Sequence, residues 1–264
     1  MKTELKEKPK AVDLASLERQ VKEMYRAVAN EPHRKYHFEM GRGLTERLGY
    51  PVADLDRIPA QAIESFAGVG YFFDLAALRP GETVVDLGSG SGTDTFIAAL
   101  KVGPKGRVVG VDMTDAQLAK ASRLRDEAGF AMVEYRKSYI ERVPVDDASV
   151  DAVISNGVIN LSPDKASVFG EVARMLKPGG RLAIADIVTE KHLPEGVTCN
   201  ADLWAACIGG AMQEDDYQAA IEACGMKVVA IAPNTAYGFI SDSARGATGK
   251  WGVKSVSLLA RKPG

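Results

Sequence analysis

Apolar residues along this chain follow two spacings, and the change between them divides it. Leu14, Leu17, Val21, Met24, Tyr25 and Val28 fall at helical spacing, which predicts an amphipathic helix ending near Asn30-Glu31-Pro32. Tyr36–Leu48 predicts a second helix, interrupted at Gly41-Arg42-Gly43. Pro51–Pro59 reads as loop or short turns, and Ala60–Phe66 as a helix stopping at Gly68-Val69-Gly70. From Gly81 onward, short β-rich runs alternate with helical ones. Strands are expected over Thr83–Leu87, Arg107–Val111, Met132–Arg136 and Val150–Ile154, and over Arg181–Val188 after the turn Lys177-Pro178-Gly179-Gly180. Helices are expected over Gly92–Lys101, Asp115–Ala128 and Lys165–Leu176. This alternation implies an α/β fold with a mostly parallel, doubly wound sheet. The ending differs. Tyr217–Cys224 reads as a helix, and Lys227–Ile231 and Lys254–Ala260 as strands. The Gly/Ser-rich stretch between those two strands shows no helical pattern, so they are expected to pair as a long-looped antiparallel hairpin.

Residues 1–60 thus form a helical extension and residues 61–264 an α/β domain. The extension is either a lid over a ligand mouth or an appendage covering a sheet edge. With 264 residues and 46% apolar content the chain can build a full core without disulfides. Its 33 basic and 35 acidic residues leave a net charge of −2, which implies no nucleic-acid partner. Cys199, Cys207 and Cys224 lack the CxxC spacing of a zinc site and point to a reducing compartment. The stretch Met1–Lys10 has no apolar core of a signal peptide, and no apolar run is long enough to span a membrane. A soluble, cytoplasmic protein is expected; the pattern carries no signal of oligomeric state.

The chemistry centres on Val84-Val85-Asp86-Leu87-Gly88-Ser89-Gly90-Ser91-Gly92-Thr93-Asp94. A buried strand that breaks into alternate glycines and then opens a helix points backbone N–H groups at a ligand. The spacing is GxGxG, not the GxGxxG of a dinucleotide fingerprint, and no GK[ST] of a P-loop follows. Asp112, 24 positions beyond Gly88, ends the second strand beside that turn, where a carboxylate accepts ribose hydroxyls. Asp86 and Asp94 flank the turn, and Asp115 reads as a helix cap. No Lys or Arg follows the glycines to neutralise phosphates, whereas the carboxylates suit an ammonium or sulfonium group. S-adenosylmethionine has those groups, with ribose and adenine but no phosphate.

The glycine run, Val111-Asp112-Met113 and Leu176-Lys177-Pro178-Gly179-Gly180 together resemble the class I S-adenosylmethionine-dependent methyltransferases, over roughly Ala62 to Ala260. The resemblance implies a seven-stranded Rossmann-like sheet with the last strand antiparallel. Within that superfamily the chain looks most like the arsenite methyltransferases, through Ser65–Gly70, Gly81–Gly90, Gly110–Thr114, Ser155–Leu161-Ser162 and Cys207-Ile208-Gly209-Gly210-Ala211. It implies that Gly88, Ser89 and Gly90 line the methionine end of the cofactor. Asp112 and Met113 would hold ribose and adenine, with Ile140 and Glu141 near the adenine ring. Ser155 and Asn156 would lie beside the transferring methyl. Ile140 reads equally as plain core and Glu141 as a surface charge.

The resemblance also implies three thiolates for trivalent arsenic, a soft centre that prefers soft ligands. At the matching positions this chain has Val69, Gly157 and Cys207. Cys199 lies eight residues before Cys207, about two turns if Asn200–Gly209 is helical. Cys224 reads as a buried apolar residue. The expected acceptor is a small molecule, either arsenite or another S, N, O or C nucleophile. Trp204, Cys207 and Met212 are candidates for its pocket, or else the buried stripe of a helix. Asn156 and Asn160 are candidates to orient it. His37 and His192 are the candidate bases for an alcohol or phenol, and each reads equally as a surface residue. A non-catalytic cofactor-binding module and an NAD-type oxidoreductase are the competing readings.

Overall fold

The computed structural model describes residues 13–198, 204 and 208–264. Thr83–Leu87 (β1) is buried from Val84 onward and lies between two parallel neighbours, Arg107–Asp112 (β2) and Val150–Asn156 (β4). A run that is apolar on both faces suits such a central place, with helices covering both sides. Val133–Lys137 (β3) extends the sheet beyond β2, and Leu176–Thr189 (β5) beyond β4. Met212–Gln213 (β6) adds a short parallel rung to the end of β5. Lys227–Pro233 (β7) and Lys254–Arg261 (β8) pair antiparallel as expected, and β8 inserts between β5 and β7. The order β3-β2-β1-β4-β5-β8-β7 carries the seven expected strands, and β6 makes an eighth off that path. Between β1 and β4 the order of winding reverses, and their carboxyl ends leave a crevice there.

Apolar side chains fill both faces of the sheet. One layer joins Leu44, Leu48, Leu55 and Phe72 to Phe96, Ile97 and Ile154. The other packs Val168, Phe169 and Tyr217 against Val85, Val153 and Ile184. The helices in chain order begin with Leu14–Asn30 (α1), Arg42–Leu48 (α2), Val52–Leu55 (α3), Ala60–Glu64 (α4), Phe73–Ala76 (α5) and Thr93–Val102 (α6). Asp115–Ala128 (α7), Lys165–Met175 (α8), Glu195–Thr198 (α9), Glu214–Ala223 (α10) and Asp242–Trp251 (α11) follow.

Three expectations are corrected here. The helix expected over Tyr36–Leu48 is confined to Arg42–Leu48, because Gly41 adopts φ 84 and ψ −165, outside the helical region. Ahead of it Tyr36 and Phe38 stack, and Phe38 stacks in turn on Tyr25 of α1. Asp115 is the first helical residue of α7, not its cap; Thr114 occupies that place, and Asp115 pairs with Lys137 instead. The Gly/Ser-rich stretch before β8 contains α11, capped by Ser241 and closed by left-handed Gly252. Its buried positions are the small Ala244 and Ala247, so it lacks the large apolar residues that make a period visible.

Candidate active site

The chain leaves β1 through Gly88, Gly90 and Gly92, at φ +71, +52 and +99. These left-handed conformations favour glycine. At Gly88 the space is closed as well, since a Cβ would come within 2.3 Å of the Val158 side chain. The Asp112 carboxylate fixes the turn from β2. Its Oδ2 accepts the Gly90 N–H at 3.0 Å and its Oδ1 the Thr114 N–H at 2.8 Å. One side chain therefore joins the glycine turn to the start of α7. Each carboxylate oxygen has a further lone pair for a ligand hydroxyl. Burial pushes this carboxyl above its ordinary value, and the N–H donors partly offset the rise.

Below the turn lies a buried polar network. The Tyr50 hydroxyl donates to Asp94 Oδ1 at 2.6 Å, and Asn156 Nδ2 donates to Asp94 Oδ2 at 3.0 Å. The same amide reaches the Gly70 carbonyl at 3.0 Å and the Tyr50 oxygen at 3.1 Å. Its own carbonyl accepts the Val69 N–H at 2.7 Å. Thr95 donates to Asp86 Oδ2 at 2.6 Å. Burial drives the carboxyls of Asp86 and Asp94 upward, and the charge of Asp94 raises Asp86 further. The 68–71 segment is held on its other side by β8. Ser255 and Ser257 donate to the carbonyls of Val69 and Tyr71, at 2.7 and 2.9 Å. Gly68 has no room for a side chain, because a Cβ would stand 2.6 Å from Asn156 Nδ2.

These elements enclose a cavity of about 550 Å³ at the switch between β1 and β4. That volume suits a nucleoside-sized ligand with an acceptor beside it. Leu14, Leu17, Glu18, Val21 and Tyr25 of α1 form one wall. The helix is held there through its carbonyls: Gln117 Nε2 donates to Tyr25 O at 2.9 Å, and Lys120 Nζ to Ala29 O at 3.1 Å. It packs on α7, and its Glu18 and Lys22 bond the Tyr139 hydroxyl just beyond the edge strand β3.

Of the residues singled out from sequence, Asp86, Gly88, Ser89, Gly90, Asp112, Met113, Ile140, Glu141 and Asn156 all line this cavity. Ser155 does not. Its hydroxyl donates to the Leu87 carbonyl at 2.9 Å and ties β4 to β1. His37 is exposed against the Phe38 ring and His192 is exposed beside Asp216, and neither lines the cavity. Asn160 is fully buried and does not line it; its backbone N–H donates to Asp186 Oδ2 at 2.9 Å. Trp204 is buried against Leu17 and Val21, and its indole N–H donates to Thr198 O at 2.6 Å. It backs the wall rather than facing the cavity. Met212 lies in β6, and its side chain packs with the layer around Val188. Cys199 and Cys207 lie outside the described residues, and Cys224 is half-buried at the end of α10. Sequence reasoning missed Tyr50, Phe66 and Gln117. Their only signal was the aromatic and amide character of residues whose partners are remote in the chain.

Positions 69 and 157 face one another. A Cβ on Gly157 would stand 3.3 Å from Val69 Cγ1, and Gly157 itself sits at φ +73. Val69 is buried against that glycine.

The cavity fits S-adenosylmethionine on its own chemistry. Ser89 Oγ is buried with no hydrogen-bond partner, Asp112 keeps acceptor capacity, and the floor is acidic. Among the described residues no His/Cys/Asp/Glu group has the arrangement of a metal site, and no helix is long and apolar enough to cross a membrane.

Residues 78–225 match the model of the methyltransferase domain family. The arsenite methyltransferase of Halobacterium salinarum is 42% identical over 221 residues, 83% of this chain and 56% of that protein. The arsenite methyltransferase of Aquipseudomonas alcaligenes is 44% identical over 149 residues, 54% of this chain and 43% of that one. The chain therefore spans about half the length of these relatives. The crystal structure of an arsenic(III) S-adenosylmethionine methyltransferase from Chlamydomonas reinhardtii is similar at TM-score 0.63 and 31% identity, covering 86% of this chain and 75% of that one. A geranyl diphosphate C-methyltransferase from Streptomyces coelicolor shares the fold at TM-score 0.67 and 19% identity, over 92% of this chain and 97% of that one. By these matches the chain belongs to the class I S-adenosylmethionine-dependent methyltransferase family and is arsenite methyltransferase-like.

Proposed function

We propose that this protein moves a methyl group from S-adenosylmethionine to a small-molecule acceptor. The supporting observation is the cavity itself, which joins the glycine turn, Asp112 and an acidic floor to the apolar face of α1. In this reading Asp86, Gly88, Ser89 and Gly90 hold the methionine end, Asp112 and Met113 the ribose and adenine, and Ile140 and Glu141 flank the adenine ring. The bound cofactor supplies an electrophilic methyl carbon on positively charged sulfur. The protein's part is to align a nucleophile with that carbon and keep water out, worth up to roughly 7–11 kcal/mol of the barrier. Asn156 acts by holding the 69–70 segment against Asp94, since its amide is engaged on both sides. Residues 1–60 serve as a lid on the methyltransferase domain of 61–264, with Leu14, Leu17, Val21 and Tyr25 shielding the reacting centre. A thiolate, a trivalent arsenic lone pair or a neutral amine needs no base. The three cysteines without a metal-site spacing support work in the reducing cytoplasm, and the near-neutral net charge supports an acceptor other than nucleic acid.

The contact between Val69 and Gly157 favours an acceptor other than chelated arsenite. Two of the three positions that the resemblance assigns to thiolates are filled by an apolar side chain and a glycine, which leaves Cys207. Titration calorimetry with S-adenosylhomocysteine, followed by methyl-transfer assays on arsenite, small thiols, amines and phenols, tests both readings. Absence of cofactor binding removes the first, and rapid arsenite methylation by the Cys207→Ser variant or by the parent removes one or the other assumption about the acceptor. If the parent methylates arsenite and C207S does not, the single thiol suffices; if C207S is equally active, arsenite is not held through it.

A further inference from the structure

Five carboxylates, Glu18, Asp86, Asp94, Asp112 and Glu141, line the cavity, against one cation, the exposed Arg142. Their surroundings differ. Glu18 on α1 accepts from Lys22 and from the Tyr139 hydroxyl. Glu141, on the segment after β3, accepts from Ser162. Asp112 at the end of β2 is satisfied by backbone N–H groups. Asp86 and Asp94 have no cationic partner at all among the described residues. From α6, Thr95 donates to Asp86; Tyr50, from the α2–α3 connection, and Asn156, from β4, donate to Asp94. The remaining titratable groups around the pair are Asp112, whose charge also raises Asp86, the buried phenol of Tyr135 in β3 beside Asp86, and the phenol of Tyr71 near Asp94. Ser89, 7% exposed and without a partner, lines the same cavity and marks this end as one that awaits a polar ligand.

We propose that the Asp86 and Asp94 pair carries one proton in the free protein and releases it to solvent when a positively charged ligand binds, so that the cavity separates a sulfonium cofactor from its thioether product, which carries one positive charge fewer. The inference rests on the cofactor reading above. Two carboxylates that are buried together without a cation cannot both ionise at little cost. Burial accordingly raises both, the charge of Asp94 raises Asp86 further, and the Tyr50 and Asn156 donors hold Asp94 the lower of the two. A ligand that brings a positive charge to this floor offsets the repulsion, and the proton leaves. S-adenosylmethionine carries one more positive charge than S-adenosylhomocysteine, the product that remains once the methyl has gone. The thioether keeps only the ammonium of its amino acid end, and with one positive charge fewer it no longer holds the pair doubly ionised. The floor then takes a proton back, and the site loses its preference for what it holds.

Calorimetric titration in two buffers of different ionisation enthalpy counts the protons. At about pH 6.5, where ordinary carboxylates are ionised, S-adenosylmethionine should release about one proton more than S-adenosylhomocysteine. The affinity ratio of the two should rise with pH, by up to about tenfold per pH unit while the difference remains one proton. Asp94→Asn should abolish the difference in proton count while thioether binding persists. If that variant fails to fold, the wild-type comparison of the two ligands decides alone. Equal proton release for both ligands, with both bound, overturns the inference and leaves the cofactor reading intact. Failure of either ligand to bind overturns both.

Discussion

Asn156→Ala is the sharpest perturbation that the site offers. The amide oxygen is the acceptor for the Val69 N–H at 2.7 Å, and the amide nitrogen is one of two side-chain donors to the buried Asp94. Truncation leaves a buried backbone donor unpaired and strips a buried carboxylate of a partner. Each loss costs about 1–3 kcal/mol, and the sum is about 2–5 kcal/mol once coupling through the shared network is allowed for. For a chain of this size 1 kcal/mol corresponds to roughly 2–4 °C in Tm, so a fall of about 5–15 °C is expected. Urea denaturation should show a lower midpoint at unchanged slope, and S-adenosylhomocysteine should recover part of the lost stability by binding the native state. Methyl transfer should weaken as the 69–71 segment loosens. An unchanged midpoint and Tm with a collapsed turnover would refute the reasoning, because the amide would then act on the reacting groups and not as a post within the wall.

Asp112→Ala should weaken binding of S-adenosylhomocysteine by about 1.5–3 kcal/mol through lost charge-assisted hydrogen bonds, read by calorimetry; unchanged affinity removes the ribose assignment. The double substitution V69C and G157C should bring two thiols into reach of one another, at a backbone cost of about 1–2 kcal/mol for the left-handed site at 157. A titration with phenylarsine oxide should then show tighter binding than in the parent, and no gain would mean that the two positions diverge in solution. At the opposite end of the sheet Arg181 forms a two-pronged pair with Glu82, with contacts of 3.0 and 2.6 Å, and caps the carbonyls of Ala76 and Ala77. Arg181→Ala strands a nearly buried carboxylate and should cost about 3–5 kcal/mol in urea denaturation. Loss of less than 1 kcal/mol, in the range of an ordinary surface pair, would show that the pair is open to water.

The parts of this molecule that were legible in sequence are those whose cause is local. The strand–glycine–helix unit from Thr83 to Val102 announces itself because a buried strand, positive-φ glycines and a helix start are each encoded within a few residues. Asp112 was found for the same reason, since its distance from Gly88 is set by one βαβ unit. Helix α7 was delimited to the residue by Gly129 at its end. The cap at its other end was misread because Asp112, three positions earlier than Asp115, supplies the carboxylate to the Thr114 N–H. Tyr50 and Asn156 meet at Asp94 across separations of 44 and 62 positions, and no spacing rule reaches that far. Ser155 and Asn156 are neighbours with opposite faces, so one ties two strands together while the other lines the cavity. Alternation along a strand sends them apart, but the sequence does not say which of the two looks outward.

The bonds from Ser255 and Ser257 to the carbonyls of Val69 and Tyr71 each span 186 positions of chain. They impose an order of events on biosynthesis. A growing chain can pair β1 with β2 and close the glycine turn soon after these leave the ribosome, because the β1–β2 register and the Asp112–Gly90 bond each span about two dozen residues. The 68–71 segment, although made before any of these strands, gains Asn156 with β4 and must wait for β8 to gain its last anchors. Contacts of such separation form slowly and after the local ones. The glycine-turn side of the cavity thus takes shape early, and the wall at 68–71 is fixed last.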